Sequence, residues 1–374
     1  EVMLVLNASP FHIGKYDERL AMLRQRSREN SVPILYLNTV GGQDELVFDG
    51  ESLVIDENGE LISRAPAFES SIDYVDVNAT QVSTVVKRDL STLREDEAIY
   101  KALVLGVKDF VHKNGFTGVV IGLSGGVDSA LTLAIAVDAL GAEHVHTVMM
   151  PSQYTAGMSR DDAEAEAVKL GVKYDIIPIE SVFTSFLGLL EDAFEGKEAD
   201  ATEENIQARC RGLILMAISN KTGRMVLTTG NKSEMAVGYT TLYGDMSGGF
   251  APLKDVSKTR VYQLCRYRNT LSDVIPERVL TRPPSAELRP DQCDQDSLPD
   301  YDVLDRILEL SVEQDMPMDE IIATGLDREV VEQVITMVQR NEYKRRQAAP
   351  GVRITRRAFG RDRRYPITSG YRRS

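Results

Sequence analysis

The sequence predicts an α/β protein, a doubly wound and mostly parallel sheet covered by helices, preceded by a segment of strands and loops around one helix. Three observations carry this. From Thr92 onward, short apolar runs alternate with amphipathic helical stretches, which is the rhythm of βαβ units. Gly141, Gly171 and Gly223 sit just past three of those helices, where a left-handed cap is needed. Third, "GLSGGVDSAL" (122–131) lies where a strand becomes a helix. In sheets of this kind, ligands bind beyond the carboxyl ends of the strands.

The elements follow in order. "VMLVLN" reads as a buried strand and "KYDERLAMLRQRSREN" (15–30) as an amphipathic helix. "PILYLN" (33–38), "ELVFDGESLVIDENGELISRA" (45–65) and "SIDYVDV" (71–77) are β-rich, with "ENGE" as a hairpin turn. Residues 79–91 are polar and weakly patterned, which suits a linker. The spacing of Thr92 and Glu95 is that of a capping box opening the next helix. Strands are expected at 118–123, 145–150, 174–179 and 224–229, and helices at 128–140, 160–170 and 203–221.

Composition bounds the function. At roughly 150 residues per domain, 374 residues make two or three. With 43% hydrophobic and 27% charged residues the chain is an ordinary soluble globular one, and runs such as "VMLVL" are too short to span a bilayer. Glu1 falls mid-pattern with no initiator Met, so the chain reads as part of a longer protein. Cys210, Cys265 and Cys293 are scattered and odd in number, which argues for a reducing cytoplasm and against zinc. His12, His112, His144 and His146 fall in no nucleophilic arrangement and read as structural, and Met149, Met150, Met216 and Met225 as core. Net charge is −14. From Lys344 to the end, eleven Lys or Arg face one acid, leaving about −24 on the rest, which disfavours nucleic acid. The basic tail reads either as an arm lying across an acidic surface or as an anion site.

The glycine-rich turn has its own chemistry. Glycine lets backbone N–H groups approach a ligand. Successive N–H groups beside a helix N-terminus form an anion nest, and Ser124 and Ser129 add hydroxyl donors. No lysine follows as in a Walker A loop, and G-x-G-x-x-G is not matched. Asp128 would repel a polyphosphate unless a cation such as Mg²⁺ lies between them. The other reading is a glycine turn with Asp128 as a helix cap.

"SGGVDS" resembles the pyrophosphate loop of the N-type ATP pyrophosphatases, whose fold is that of the adenine nucleotide alpha-hydrolases. "TTGNKSEMAVGYTTLYGDMSGGFAPLKDVSKTRVY" (228–262), "RPPSAELRPDQCDQDSLPDYDVLDRIL" (282–308) and "NEYKRRQAAPGV" (341–352) are similar to the glutamine-dependent NAD synthetases. "LNASPFHIGKYDERL" and "GGQDELVFDGES" resemble the C-terminal part of that family's nitrilase-like glutaminase domain, an α/β/β/α fold. The resemblance implies a nitrilase-like part at 1–78, a linker at 79–91, an NAD synthetase domain at 92–345 and a basic arm at 346–374. The family's Glu–Lys–Cys glutaminase triad precedes the "NASPF" strand, so it is not in this chain.

The resemblance implies ATP-dependent amidation of deamido-NAD through an adenylated carboxylate, with ammonia from glutamine. It implies ATP contacts at Gly122, Leu123, Ser124, Gly125, Gly126, Val127, Asp128, Ser129, Thr229, Lys258 and Ser285. Mg²⁺ would be held by Asp128 and Glu234, and deamido-NAD by Asn205, Arg209, Glu234 and Lys344. Asn205 and Arg209 are four apart and share one helical face. Ser9 and Lys15 match glutamine-binding positions. By residue type alone, Thr229 reads equally as a helix cap, Glu234 as a solvated carboxylate, Asn205 and Arg209 as an ordinary polar face, Ser285 as a turn serine, and Lys15 and Lys258 as surface lysines. The expected assembly is a cytoplasmic homo-oligomer, a synthetase-domain dimer or larger, with no nucleic acid or membrane partner. The alternative is another pyrophosphate-loop ligase, such as a tRNA-modifying one. That alternative expects reactive cysteines or a CxxC and a basic groove.

Overall fold

A computed structural model describes residues 1–78, 82–84 and 90–370. Most of the expected linker (79–81 and 85–89) and the last four residues of the basic arm lie outside the described residues. The chain divides into two compact units, residues 1–110 with 352–356 and residues 111–351 with 357–374.

In the first unit, β1 (Met3–Asn7), α1 (Lys15–Asn30) and β2 (Ile34–Asn38) form a βαβ unit, β1 parallel to β2. β3 (Val40–Gln43) and β4 (Leu46–Asp49) pair as a hairpin. β5 (Leu53–Ile55) and β6 (Leu61–Arg64) extend the first sheet antiparallel, in the order β1-β2-β5-β6. The "ENGE" turn joins β5 to β6, with the Gly59 N–H donating to the Asp56 carbonyl at 3.0 Å. Leu23 of α1 packs with Ile34, Tyr36, Leu53 and Ile55, a burial of aliphatic area that stabilises by about 25 cal/mol per Å². β7 (Val75–Val77) pairs with β8 (Val82–Thr84). α2 (Glu95–Lys113) begins at Glu95, where the expected helix "EDEAIYKALVLGVKDFVHKN" starts.

The second unit holds β9 (Val119–Gly122), α3 (Val127–Leu140), β10 (Val145–Met149), α4 (Gly157–Leu170), β11 (Lys173–Ile176), α5 (Glu180–Leu190), α6 (Ala201–Thr222) and β12 (Met225–Leu227). The four strands are parallel in the order β11-β10-β9-β12. Val119, Val120 and Ile121 of β9 are buried, as a strand covered on both faces requires. After β9 the chain adds β10 on one side and β12 on the other, so β9 and β12 flank a topological switch point.

Gly171 and Gly223 take the left-handed cap conformation. Gly141 differs, at φ 86° and ψ 150°, so it turns the chain out of α3 by another positive-φ geometry open to glycine. α5 was not expected from the sequence. It is almost uncharged, it buries only Phe183 among its residues, and Val182, Phe186 and Leu189 are exposed. Met149, Met150 and Met225 are core, while Met216 is exposed, contrary to expectation, because it lies on the outer face of α6.

Beyond the sheet lie α7 (Lys232–Val237), α8 (Lys258–Leu271), α9 (Glu277–Thr281), α10 (Tyr301–Leu308), α11 (Met318–Ala323), α12 (Arg328–Arg340) and α13 (Glu342–Arg345). Leu304, Ile307, Val331 and Val334 centre a second core among them. The basic arm returns to this body. Arg357 and Arg363 both pair with Asp315, at 3.3 and 2.7 Å. The Arg345 guanidinium packs 4.6 Å from the centroid of the Phe359 ring, a desolvated cation–π contact.

Candidate active site

The site grows from the carboxyl ends of β9 and β12. β9 ends at Gly122, and the loop Leu123–Gly126 turns into α3. Gly125 sits at φ +77°, and a Cβ there would lie 2.1 Å from the Ser159 carbonyl oxygen, so only glycine lets the loop pass this close to α4. Two serines knit the turn. The Gly126 N–H donates to Ser124 Oγ at 3.2 Å, and Ser129 Oγ donates to the Gly126 carbonyl at 2.9 Å. No side chain caps the N-terminus of the 14-residue α3. Its first N–H groups and its dipole are therefore free to meet an anion.

The loop after β12 supplies the opposing charge. Asn231 is the N-cap of α7. Its Oδ1 accepts from the Glu234 N–H at 3.0 Å, and Glu234 Oε2 accepts from the Asn231 N–H at 3.3 Å, a reciprocal capping box. Asn231 Nδ2 also donates to Asp128 Oδ1 at 2.8 Å. Lys258, the first residue of α8, places its ammonium between the two carboxylates, 2.5 Å from Asp128 Oδ2 and 3.1 Å from Glu234 Oε1.

Lys258 is only 3% exposed. Its backbone N–H donates to Ser233 Oγ at 2.9 Å, and Asp305 Oδ2 accepts from the N–H and hydroxyl of Thr259, each at 2.8 Å. The start of α8 is thus fixed from α7 and α10. Burial pushes the Glu234 carboxyl up to about 8, against the pull of the Lys258 ammonium. Burial works against the Lys258 ammonium too, but Asp128 and Glu234 outweigh it and hold the lysine well above its usual value.

A cavity of about 490 Å³ joins these groups. Ser124, Gly126, Val127, Asp128 and Ser129 line one side, Thr229, Glu234 and Lys258 another, and Arg282, Ser285 and Asp294 a third. Gly122, Leu123 and Ser124 also line a smaller, more apolar cavity of about 240 Å³ with Met150, Leu215 and Arg211.

The carboxylates fit Mg²⁺ in kind, since that ion prefers oxygen donors. Among the described residues no cluster of three His, Cys, Asp or Glu could cage a metal. The other ligands would come from substrate phosphate and water, as is usual for Mg²⁺.

The remaining expected residues group elsewhere. Asn205 Oδ1 accepts from Thr241 Oγ1 at 2.8 Å, and Arg209 Nε donates to the Leu242 carbonyl at 3.2 Å. Lys344 Nζ donates to the carbonyls of Gly238 and Thr240, at 2.7 and 2.8 Å. None of the three lines the large cavity, but all converge on segment 238–242, of which Tyr239 and Thr240 do line it. In the first unit, the Ser9 N–H donates to Asn38 Oδ1 at 2.8 Å, and Lys15 opens α1 and pairs with Glu18 at 3.5 Å. His146 is buried and bonded to Asp175 at 2.7 Å, and all three cysteines are free thiols.

Sequence reasoning missed Asp294 and Arg282 in the cavity lining and Asn231 behind it. Asn231 holds Asp128 in place. Asp294 is buried and accepts from the Tyr301 hydroxyl at 2.9 Å. Arg282 donates to Ser159 Oγ at 2.8 Å and to the Gly125 carbonyl. Only Asn231 carried a signal, the N-x-x-E spacing of a capping box.

Comparison with known proteins agrees with this geometry. The NAD synthase family model matches residues 99–348, and the carbon-nitrogen hydrolase model matches residues 1–86. A glutamine-dependent NAD(+) synthetase of Acinetobacter baylyi is 54% identical over 374 residues, spanning 100% of this chain and 69% of that protein. The solved structure of the glutamine-dependent NAD+ synthetase of Acinetobacter baumannii, in complex with ADP, is 51% identical with a TM-score of 0.72, over 100% of this chain and 69% of that one. An NH3-dependent NAD synthetase structure from Campylobacter jejuni is 26% identical with a TM-score of 0.54, over 67% of this chain and 96% of that one. No described helix is long and apolar enough to cross a membrane. With its sheet, its glycine-rich loop and these likenesses in agreement, the chain belongs to the family of glutamine-dependent NAD(+) synthetases.

Proposed function

We propose that this chain carries out the ATP-dependent amidation of deamido-NAD to NAD, releasing AMP and pyrophosphate, as the synthetase part of an enzyme that draws its ammonia from glutamine. The observation that carries this reading is a single cavity in which an open helix N-terminus faces the Asp128–Lys258–Glu234 cluster. An anion nest calls for phosphate, and two carboxylates beside it call for a cation.

A carboxylate oxygen of deamido-NAD attacks the α-phosphorus, and pyrophosphate leaves with the P–O bonding pair. Ammonia then attacks the acyl carbon, AMP leaves with the C–O pair, and the nitrogen gives up a proton. No protein nucleophile is needed. The loop N–H groups and Ser124 and Ser129 hold the phosphates, and Lys258 neutralises charge on them. The work is positioning and electrostatic stabilisation. Mg²⁺ held by Asp128 and Glu234 would supply the neutralisation that pyrophosphate needs as a leaving group. The smaller cavity, apolar at Leu123, Met150 and Leu215, suits the flat face of a purine beside the nest.

Asn205, Arg209 and Lys344 are the deamido-NAD contacts of this reading, acting on or through segment 238–242. Residues 1–78 are the nitrilase-like part, with Ser9 and Lys15 facing glutamine. The reading includes a cytoplasmic homo-oligomer, which sedimentation would check. The direct test is pyrophosphate release from ATP with ammonium present. Release that depends on deamido-NAD supports the function, and release that ignores deamido-NAD overturns it.

A further inference from the structure

We propose that Lys258 competes with a divalent metal for the Asp128 and Glu234 carboxylates, so that the metal enters only together with a polyphosphate that draws the ammonium away. The proposal rests on the reading of this cavity as an ATP and Mg²⁺ site.

The four carboxylate oxygens show why. Asp128 Oδ1 and Glu234 Oε2 are tied to Asn231, through its Nδ2 and its backbone N–H. These donors belong to the α7 cap and cannot leave without opening that helix. The other two oxygens, Asp128 Oδ2 and Glu234 Oε1, both face the Lys258 ammonium. They are the oxygens a metal bridging the pair would take. A divalent cation approaching these carboxylates therefore meets a unit positive charge already seated between them.

Lys258 is 3% exposed where it sits and lines the same cavity, so leaving the carboxylates carries the ammonium into that cavity. Once it leaves the carboxylates it needs another anion within the cavity. Ser124, Gly126 and Ser129 line the same cavity and form the nest where phosphates would lie. A polyphosphate seated there gives the ammonium a partner and frees both oxygens at once. Metal and polyphosphate then favour each other by equal factors, as linkage requires.

The experiment reads metal binding, not turnover. Mn²⁺ alone is titrated into wild type, Lys258→Gln and Lys258→Arg, followed by paramagnetic resonance of the free ion. In Lys258→Gln, Mn²⁺ alone should bind about tenfold or more tighter, because one positive charge is gone from beside the metal. Lys258→Arg keeps the charge and should bind as weakly as wild type. The gain should vanish in Asp128→Asn/Lys258→Gln. Equal affinity for Mn²⁺ in Lys258→Gln and wild type overturns the proposal, and so does a gain that survives in the double variant. If Lys258→Gln does not fold, wild type decides. Mn²⁺ bound equally well with and without α,β-methylene ATP overturns the proposal, and binding that appears only with the analogue supports it. The functional reading fails separately, if the metal behaves as described but pyrophosphate release ignores deamido-NAD.

Discussion

A carboxylate placed in an anion nest opposes the charge it is meant to receive, unless a cation joins the two. Asp128 is such a carboxylate, held by Asn231 on one oxygen and Lys258 on the other. Asp128→Asn keeps the shape but removes the charge that Lys258 meets and that the proposed metal would use. It should lower AMP formation by about 10³-fold, a loss of about 4 kcal/mol of transition-state stabilisation, while ATP binding weakens far less. Quench-flow measurement of AMP beside equilibrium ATP binding checks this, and an unchanged adenylation rate would remove Asp128 from the chemistry. Asp128 was legible in the sequence because it is the lone acid in a glycine-rich turn. Lys258 and Glu234 became legible only through family resemblance, since an isolated Lys or Glu is solvated by default. Asp294 and Arg282 were not legible, because polar residues in a Pro-rich loop carry no periodicity that aims them at a cavity.

At the scale of elements, the strands and their connecting helices were readable where the pattern was strong. β9 is a short β-branched run bounded by glycines, and α3 follows it with helical apolar spacing. α5 escaped because "SVFTSFLGLL" is apolar without a polar stripe, so neither a helical nor a strand period stands out. α7 is short, and its cap does two jobs, closing the helix and holding Asp128. Asn231→Ala should therefore cost about 1 kcal/mol of stability, the usual worth of an N-cap. It should also slow turnover, because Asp128 loses a donor. Thermal unfolding and kcat measured together test this, and a stability loss with full turnover would make Asn231 a cap alone. Packing between elements yields another prediction. Glu166 of α4 is fully buried, and its Oε1 has no hydrogen-bond partner among the described residues. Burial pushes its carboxyl up to about 8, against weaker pulls from Arg268 and Lys169. The folded state then holds a proton that the unfolded chain releases above about 4.5. Stability is full below that value and falls as pH rises toward 8, by about 1.4 kcal/mol per unit for this group. Glu166→Gln cannot ionise, so its denaturant midpoint should fall less than that of wild type between pH 5 and 8. Parallel curves for the two proteins would show that Glu166 is ionised in the fold.

At the scale of the whole chain, two chemistries are present in unequal measure. Every group proposed for adenylation, from the loop at Gly122 to Lys258 and Ser285, lies within the second unit. The 26% identical likeness to an NH3-dependent NAD synthetase spans 96% of that chain. Glutamine is a different demand, since releasing its amide nitrogen takes an activated thiolate to form an acyl-enzyme. Residues 1–78 hold no cysteine. Cys210 and Cys265 are buried, and burial raises both thiols, well up for Cys265, which is the reverse of nucleophile activation. Residues 1–374 prepared by themselves should therefore make NAD from deamido-NAD, ATP and ammonium, and should make none from glutamine. Joining them to a family glutaminase segment that supplies the Glu–Lys–Cys triad should restore glutamine use. Alkylating that cysteine should then remove glutamine use and leave the ammonium reaction intact. The measurement is NAD formed with each nitrogen source at saturating ATP. Glutamine-dependent synthesis by residues 1–374 alone, abolished by Cys293→Ser, would move the amide-releasing chemistry into the second unit and overturn this division of labour.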